Sequence, residues 1–340
     1  MTYRNVLRST FAFVVMLLLS ATAHAQLFRA YLAPSPLGND ANACTLTAPC
    51  RLLPTALTAV ADGGEIWMLD SGNYNTAPVA ITKSVTILAV PGALGSVVAS
   101  GGNAIDIATA GVKVALRNLV IVPLLGGGGT GGISMTAGAS LTVENCLLAN
   151  LPGTGILVNA GASVHVTDTT IRGSGGAGVD IRNGAHVTVT RATISGNANI
   201  GVVAQGTVAS TVTTADIADS TINTNLRGVM GYSTNATASV GVSVRESQVV
   251  QNNDFGVIAE STAGAPVTLS ASNNIITSSV WGVGSYSAGS KVWVSGNTIS
   301  GTNVGLVGAS AGGILESAGN NAMRNNAFDT DGSVTVIATK

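Results

Sequence analysis

The sequence of 340 residues has few charged and few aromatic side chains. Charged residues make up 9% of the chain, where ordinary globular domains have about 25%, and aromatic residues make up 4%. The formal net charge is −1. A chain this poor in Lys and Arg lacks the basic surface that holds a nucleic-acid backbone. Its hydrophobic content of 46% excludes an intrinsically disordered chain, because such chains combine low hydrophobicity with high charge.

Long apolar stretches are also scarce, and the clearest one lies near the start of the sequence. Arg4 and Arg8 precede an apolar run from Phe11 to Leu19, and the small residues Ala23-His24-Ala25 follow it. This order is typical of a secretory signal peptide over residues 1–25. The run is too short for a membrane span, which needs about 20 apolar residues. The sequence therefore predicts a secreted, periplasmic or cell-surface protein with no membrane span after cleavage.

The sequence contains only three cysteines. Cys44 and Cys50 enclose five residues, and disulfides persist in the oxidising compartments to which export leads. We therefore predict a small disulfide between them. A metal site is the alternative, although no other Cys or His lies nearby in the sequence to complete one. Cys146 is left over and is expected to be a buried small side chain rather than a reactive thiol.

Glycine, by contrast, is abundant, and two marks recur along the chain at steps of 23 to 28 residues. The first mark is Gly or Ala followed by an aliphatic residue, and the second is an aliphatic residue that ends a short alternating segment. The first mark comprises Ala104-Ile105, Gly132-Ile133, Gly155-Ile156, Gly178-Val179, Gly201-Val202, Gly228-Val229, Gly256-Val257, Gly282-Val283 and Gly305-Leu306. The second comprises Leu148, Ile171, Ile194, Ile222, Val249, Ile276, Ile299 and Met323. Two independent marks with one rhythm indicate a structural repeat.

Each repeat alternates apolar and polar residues, as in Leu141-Thr142-Val143, which predicts strands with one buried face. A unit of this size cannot bury its apolar face alone, whereas stacked units can. Polar residues also recur three positions after each second mark. These are Ser174, Asn197, Asn225, Asn252, Ser279, Thr302 and Asn326. Such side chains can hydrogen-bond along a stack, and Asn also tolerates left-handed turns.

With these repeats, the chain resembles a right-handed parallel β-helix protein of the pectin-lyase-like superfamily, over about Val79 to Lys340. The stretch Gly38–Cys44 (GNDANAC), followed by Ala48–Arg51 (APCR), also resembles a recurring opening of secreted bacterial β-helix proteins. The resemblance implies an all-β fold, a right-handed parallel β-helix solenoid. Its members include lyases, hydrolases, esterases and adhesins, so the resemblance implies a fold and does not identify a reaction.

The sequence divides into three regions on this interpretation. Residues 1–25 form the signal peptide, residues 26–78 an N-terminal cap with the Cys44–Cys50 loop, and residues 79–340 a β-helix of about nine rungs. The spacing of Leu53, Leu57 and Val60 predicts a short amphipathic capping helix over Leu52–Val60, which closes the N-terminal end of the coil.

Aligned repeats become columns on the surface of the coil, with neighbours about 4.8 Å apart. The charge column lies three residues before the second mark and comprises Asn145, Asp168, Arg191, Asp219, Glu246 and Asn273. Asp219 and Glu246 are like charges on neighbouring rungs, and such pairs raise a carboxyl pKa or recruit a cation. We expect either an acid/base pair of Asp219 and Glu246 with Arg245 beside it, or a Ca²⁺ site of Asp219, Glu246 and Asn273. The alternative is a solvated ladder of charges.

The outward column lies four residues after the repeated Gly and comprises Asn159, Arg182, Gln205, Tyr232, Glu260 and Tyr286. Tyr232 and Tyr286 flank Glu260 there, and Trp281 is near in the sequence. Aromatic faces beside polar groups suit sugar rings, so Arg182, Gln205, Tyr232, Glu260, Trp281 and Tyr286 are predicted to bind a ligand. Surface decoration is the alternative. A third column, from Thr142 to Trp293, is mostly Ser and Thr on an open strand face.

Several catalytic motifs are missing from the sequence. It has no Gly-His-Gly with paired Asp, no Gly-x-Ser-x-Gly elbow, no Walker loop and no tandem Gly-Gly-x-Gly-x-Asp repeat. These absences favour a structural or binding protein without a cofactor, whose ligand is a polysaccharide or a component of the cell envelope. A lyase or hydrolase acting on uronate-containing glycans, with or without Ca²⁺, is the alternative, and an adhesin-like or ice-binding surface is another. The sequence leaves open whether the protein is an enzyme, and its oligomeric state.

Overall fold

The computed structural model describes residues 26–262, 264–308 and 311–337, which form a coil with three parallel β-sheets. In each turn the chain passes through sheet 2, then sheet 1, then sheet 3, as Ile133–Ala137, Ser140–Glu144 and Leu147–Ala149 do. Every strand pairs with the equivalent strand of the next turn in parallel register. The predicted signal peptide, residues 1–25, lies outside the described residues.

Within each sheet the strands follow one another in chain order. Sheet 1 consists of Leu27–Leu32, Val60–Met68, Val85–Ala89, Lys113–Arg117, Ser140–Glu144, Ser163–Thr167, His186–Thr190, Val212–Ala218, Ser239–Arg245, Val267–Ser272, Ser290–Ser295, Ile314–Ser317 and Thr335–Val336. Sheet 2 consists of Val79–Ile81, Ile105–Ala108, Ile133–Ala137, Ile156–Asn159, Val179–Arg182, Ile200–Gly206, Arg227–Ser233, Phe255–Ser261, Trp281–Tyr286, Val304–Val307 and Phe328–Asp331. Sheet 3 consists of Gly72–Asn73, Gly95–Ala99, Leu119–Pro123, Leu147–Ala149, Thr170–Arg172, Thr193–Ser195, Thr221–Asn223, Gln248–Val250, Ile275–Thr277, Thr298–Ser300 and Ala322–Arg324.

Both repeated marks of the sequence are inward-facing columns. The aliphatic residues of the first mark stack in sheet 2, where Ile156 pairs with Val179 and Val179 with Val202. Those of the second mark stack in sheet 3, where Ile171 pairs with Ile194. All five side chains are completely buried. The predicted parallel stacking is therefore confirmed, and the alternation of apolar and polar residues corresponds to the inner and outer faces of the sheets.

The glycine that precedes eight of the nine aliphatic residues of the first mark has a packing role. A Cβ atom on Gly201 would lie 2.7 Å from both the carbonyl oxygen of Gly228 and the Cγ2 atom of Ile222. A Cβ atom on Gly178 would likewise lie 2.6 Å from the carbonyl oxygen of Gly201 and 2.6 Å from the Cγ2 atom of Ile194. Only a residue without a side chain fits there, because the next turn and the aliphatic side chain of sheet 3 both approach this point.

A buried ladder of polar side chains runs beside the glycines, as the sequence predicts. The Asn225 Oδ1 atom accepts hydrogen bonds from the backbone N–H of Asn197 at 3.0 Å and from its Nδ2 at 2.9 Å. Asn252 does the same for Asn225, at 3.1 and 3.2 Å. The predicted left-handed turn lies one residue earlier in each repeat, for example at Thr224 with φ 54°. The ladder residues themselves do not have the left-handed conformation, because their side chains have to point inward.

A second polar ladder occupies the corner between sheets 1 and 3. Asn274 donates its backbone N–H and its Nδ2 to Oδ1 of Asn297, at 2.9 and 3.0 Å. Cys146 is the equivalent residue nearer the N terminus, and its Sγ accepts the backbone N–H of Leu119 at 3.4 Å. Burial raises the pKa of the Cys146 thiol to about 11. The expectation of a buried side chain at Cys146 is therefore confirmed, and the column to which it belongs is a hydrogen-bonding ladder.

The N-terminal end of the coil is covered by the predicted helix, which spans Leu53–Ala59. Its residues Leu53, Ala56 and Leu57 are buried in the same core as the sheets. The predicted disulfide between Cys44 and Cys50 is present just before the helix. Across the described residues, no helix has the length and apolarity needed to cross a membrane.

We predict that Gly201→Ala destabilises the coil, because overpacking a filled interior costs about 1–3 kcal/mol. Gly241→Ala is the matched control, since its new Cβ would meet nothing closer than the Cγ2 of Thr214 at 3.7 Å. Thermal unfolding followed by circular dichroism should give a lower melting temperature for Gly201→Ala and an unchanged or higher one for Gly241→Ala. Equal melting temperatures for the two variants would contradict this account of the glycine column.

We also predict that Asn225→Ala lowers the melting temperature. The substitution leaves the backbone N–H and the Nδ2 of Asn197 without their acceptor, and each buried unsatisfied group costs about 1–3 kcal/mol. Asn199→Ala is the control, because the Asn199 side chain is exposed. If both variants melt like the unmodified protein, the ladder does not stabilise the fold.

Candidate functional site

The outward column predicted from the sequence exists on the outer face of sheet 2. Asn159 pairs with Arg182, Gln205 with Tyr232, Tyr232 with Glu260 and Glu260 with Tyr286. Arg182 and Gln205 follow the paired residues Ile181 and Ala204 directly. The members lie on consecutive turns at a spacing of about 4.8 Å. The structure thus brings these side chains into one row, and their role in binding stays a prediction.

A buried carboxylate holds the first part of this row. Asp180 is two residues before Arg182 on the same strand, and its side chain is only 7% exposed. It accepts hydrogen bonds from Nε and Nη2 of Arg182 at 2.9 and 2.5 Å, and from Nε2 of Gln205 at 2.7 Å. The Asp180 bonds raise the pKa of the Arg182 guanidinium. Sequence reasoning missed Asp180, although its position two residues from Arg182 places both on the same face of the strand.

Arg227 holds the second part of the row. Its Nε atom lies 2.6 Å from Oδ2 of Asp254, and its Nη1 lies 3.6 Å from Oε2 of Glu260. The three side chains are 18–29% exposed, so their charges are partly shielded from water. Arg227 therefore places a positive charge beside the carboxylate of Glu260 on the outer face. The sequence pattern did not show Arg227 or Asp254, because both lie where the loop after sheet 3 enters sheet 2.

Apolar side chains pack beside the row. Val203, Met230 and Ile258 follow Asp180 in the neighbouring outward column and are nearly fully buried. Phe255 and Trp281 cover this apolar strip, with their ring centroids 4.9 Å apart and their planes at 30°. The outer face of sheet 2 is therefore an apolar strip bordered by fixed charges.

Trp281 lies apart from the two tyrosines that the sequence groups with it. It begins the strand that Tyr286 ends, so the two residues are about 16 Å apart along the strand. Its ring is half-buried against Phe255, whereas Tyr286 is 45% exposed. Tyr286 is thus the more accessible aromatic surface at this end of the row.

The charge column lies at a different place, the corner between sheets 1 and 3. Asp168, Arg191, Asp219, Glu246 and Asn273 all have a left-handed backbone, with φ between 49° and 55°. The Nε and Nη2 atoms of Arg191 each lie 2.8 Å from an oxygen of Asp168. This pair lowers the pKa of the Asp168 carboxyl and raises that of the Arg191 guanidinium.

The predicted catalytic and Ca²⁺-binding residues Asp219, Glu246 and Asn273 occupy equivalent positions at this corner, and Arg245 ends the sheet 1 strand just before Glu246. The backbone N–H of Asp219 donates to the carbonyl oxygen of Arg245 on the next turn, and that of Glu246 donates to the carbonyl oxygen of Ser272. Asp219, Glu246 and Asn273 therefore lie on three successive turns. Asp219 and Glu246 are exposed, and Nη1 of Arg245 lies 3.8 Å from Oε2 of Glu246. In the described part of the chain no three His, Cys, Asp or Glu side chains form a metal-binding group. The catalytic and Ca²⁺ roles of these residues stay predictions.

Comparisons with known proteins agree with this architecture. The family model described as "Right handed beta helix region" matches residues 131–299. None of the curated proteins matches the sequence significantly.

Similar solved structures share the coil at low sequence identity. The pectate lyase Pel9A has 15% identity and a TM-score of 0.54, covering 91% of this chain and 79% of its own. The A-module of the Azotobacter vinelandii mannuronan C-5 epimerase AlgE4 has 12% identity and a TM-score of 0.53, and the match covers 82% of this chain and 91% of the module. The Dettilon tailspike protein has 13% identity and a TM-score of 0.57, and the match covers 94% of this chain and 72% of the tailspike chain. With the three parallel sheets and the matched region, these likenesses show that the chain is a right-handed parallel β-helix protein with the pectate-lyase-like fold.

Proposed function

We propose that the protein is a secreted or surface protein that binds a polysaccharide along the outer face of sheet 2. The observation that carries this proposal is the row of Arg182, Gln205, Tyr232, Glu260 and Tyr286 on five consecutive turns. A regularly spaced row of polar and aromatic side chains is suited to a polymer, whose units also repeat. Tyrosine rings offer an apolar face and a hydroxyl to each sugar.

The ion pairs of the row support binding in a second way. Two hydrogen bonds to Asp180 hold the Arg182 side chain in place before a ligand arrives, and the charge of Arg227 lies beside Glu260. Ordering a long side chain on binding costs about 0.5–1.5 kcal/mol, and a pre-ordered surface avoids part of that cost. The names of two similar structures, a pectate lyase and a mannuronan epimerase, denote enzymes of polysaccharides. The Cys44–Cys50 disulfide and the predicted signal peptide support export.

We predict that Tyr232→Ala combined with Tyr286→Ala weakens polysaccharide binding by about tenfold or more, because loss of a central aromatic contact typically costs over 1 kcal/mol. Affinity electrophoresis in gels containing polygalacturonate, alginate, xylan or hydroxyethyl cellulose gives the dissociation constants. Gln205→Ala is expected to weaken binding as well. Its matched control is Gln248→Ala, a glutamine on the outer face of sheet 3.

Two results would overturn this proposal. One is that none of the four polysaccharides retards the unmodified protein. The other is that the double tyrosine variant, with an unchanged melting temperature, is retarded as strongly as the unmodified protein in every gel that retards the unmodified protein.

A catalytic role is the second candidate, and the stacked, exposed carboxylates of Asp219 and Glu246 favour it. We predict that any cleavage of a uronate polymer by this protein is lost in the double variant Asp219→Asn, Glu246→Gln. Absorbance at 232 nm measures the unsaturated product of a lyase and a reducing-sugar assay the product of a hydrolase, each with Ca²⁺ and with a chelator. Asp168→Asn is the control from the same corner. Cleavage that persists in the double variant would show that the reaction occurs elsewhere.

A further inference from the structure

The outer face of sheet 1 carries a depression that neither candidate function uses. It spans four consecutive strands, from Val212–Ala218 to Ser290–Ser295, and has a volume of about 420 Å³. Ligand pockets commonly fall between about 300 and 1,000 Å³. Its lining includes Asp216, Gly241, Ser243, Ser270, Lys291 and Trp293.

Gly241 lies on the floor of the depression, and the fold does not explain why it is a glycine. It is in mid-strand, and its backbone is not left-handed. A Cβ atom there would lie 3.7 Å from the Cγ2 atom of Thr214 and 3.8 Å from the Oγ1 atom of Thr268, and no other atom is nearer. Glycine in the interior of a strand is destabilising, and it often marks a point where a ligand approaches the backbone closely. The inward glycines, such as Gly201, are different, because packing requires them.

The walls and floor offer the groups that a sugar needs. Trp293 pairs with Ser270, and Ser270 with Ser243, so the indole stands at one end of a row of hydroxyls. Within the described residues, neither the Ser243 nor the Ser270 hydroxyl is hydrogen-bonded to another part of the chain. An aromatic ring beside free hydroxyls can stack on one face of a pyranose while the hydroxyls bond its edge.

The charges of the depression select among glycans. Nζ of Lys291 lies 2.9 Å from Oε1 of Glu316, so the positive charge is already matched. Asp216 is exposed and has no ion-pair partner among the described residues. The depression therefore has a negative balance, which opposes the carboxylates of a uronate polymer.

We propose that this depression is a second carbohydrate-binding site, separate from sheet 2, and that its ligand is a neutral glycan. The pyranose ring stacks on Trp293, the glycan passes over Gly241, and its hydroxyls bond Asp216, Ser243 and Ser270. The proposal does not depend on binding at sheet 2, because the two sites lie on different faces of the coil.

Filling the floor tests the proposal directly. Gly241→Val should abolish detectable retardation in hydroxyethyl cellulose and xylan gels, or weaken it at least tenfold, while the melting temperature stays equal or rises. Trp293→Ala should weaken retardation to a similar extent, and polygalacturonate should not compete. The assays are run in the Tyr232→Ala, Tyr286→Ala background, so that loss of glycan binding at sheet 1 is measured separately from loss of binding at sheet 2.

Ser163→Val is the matched control, because Ser163 occupies the same outward column three turns away and is exposed. It should leave retardation unchanged. The proposal is overturned if neither neutral polysaccharide retards the background variant. It is also overturned if Gly241→Val is retarded as strongly as its parent, or if Gly241→Val lowers the melting temperature, since the glycine would then be structural.

Discussion

Successive turns of this coil hydrogen-bond to each other along three parallel sheets, and this pairing fixes their spacing at about 4.8 Å. Every residue therefore has a neighbour of equivalent position above and below it. Gly201 has to be small because the next turn reaches it from one side and Ile222 from another. Asn225 has to be polar because the N–H groups of Asn197 need an acceptor inside the coil. Interior residue types are thus decided by the turn that follows as much as by the residue's own turn.

The outer faces are under weaker constraints, and the molecule uses them differently. Sheet 2 has paired charges and an apolar strip covered by Phe255 and Trp281. Sheet 1 has short hydroxyl side chains around an unexplained glycine, Gly241, with Trp293 at one end. The corner between sheets 1 and 3 tolerates Arg191 and Glu246 in a left-handed backbone, although such residues seldom adopt it. Residue types on the outer faces can therefore change from turn to turn while the interior columns stay the same.

Much of the fold could be predicted because the interior repeats. The columns that include Ile171 and Val179 are visible as periodic marks, and the helix over Leu53–Ala59 agrees with its predicted range within one residue at each end. The row from Arg182 to Tyr286 follows from counting positions along aligned repeats.

The parts of the site that escaped prediction depend on loops or on a broken column. Arg227 and Asp254 lie where loops of varying length enter sheet 2, so no periodic mark leads to their ion pair. Asp180 escapes notice because its neighbours on the turns before and after it, Leu157 and Val203, are both apolar. Trp281 is close to Tyr286 in the sequence but distant from it in space, because the two residues are the ends of one extended strand. Proximity in sequence is therefore a poor guide to proximity along an extended backbone.

The position of Cys146 has a consequence for how the protein is oxidised. A folded coil hides this thiol inside a ladder and raises its pKa, so almost none of it is thiolate at neutral pH. Cys44 and Cys50 lie at the far N-terminal end, close enough to each other to pair, with Cα atoms 4.6 Å apart. Once the turns around Cys146 have formed, its thiol is buried, and Cys44 and Cys50 are the two cysteines left to form a disulfide.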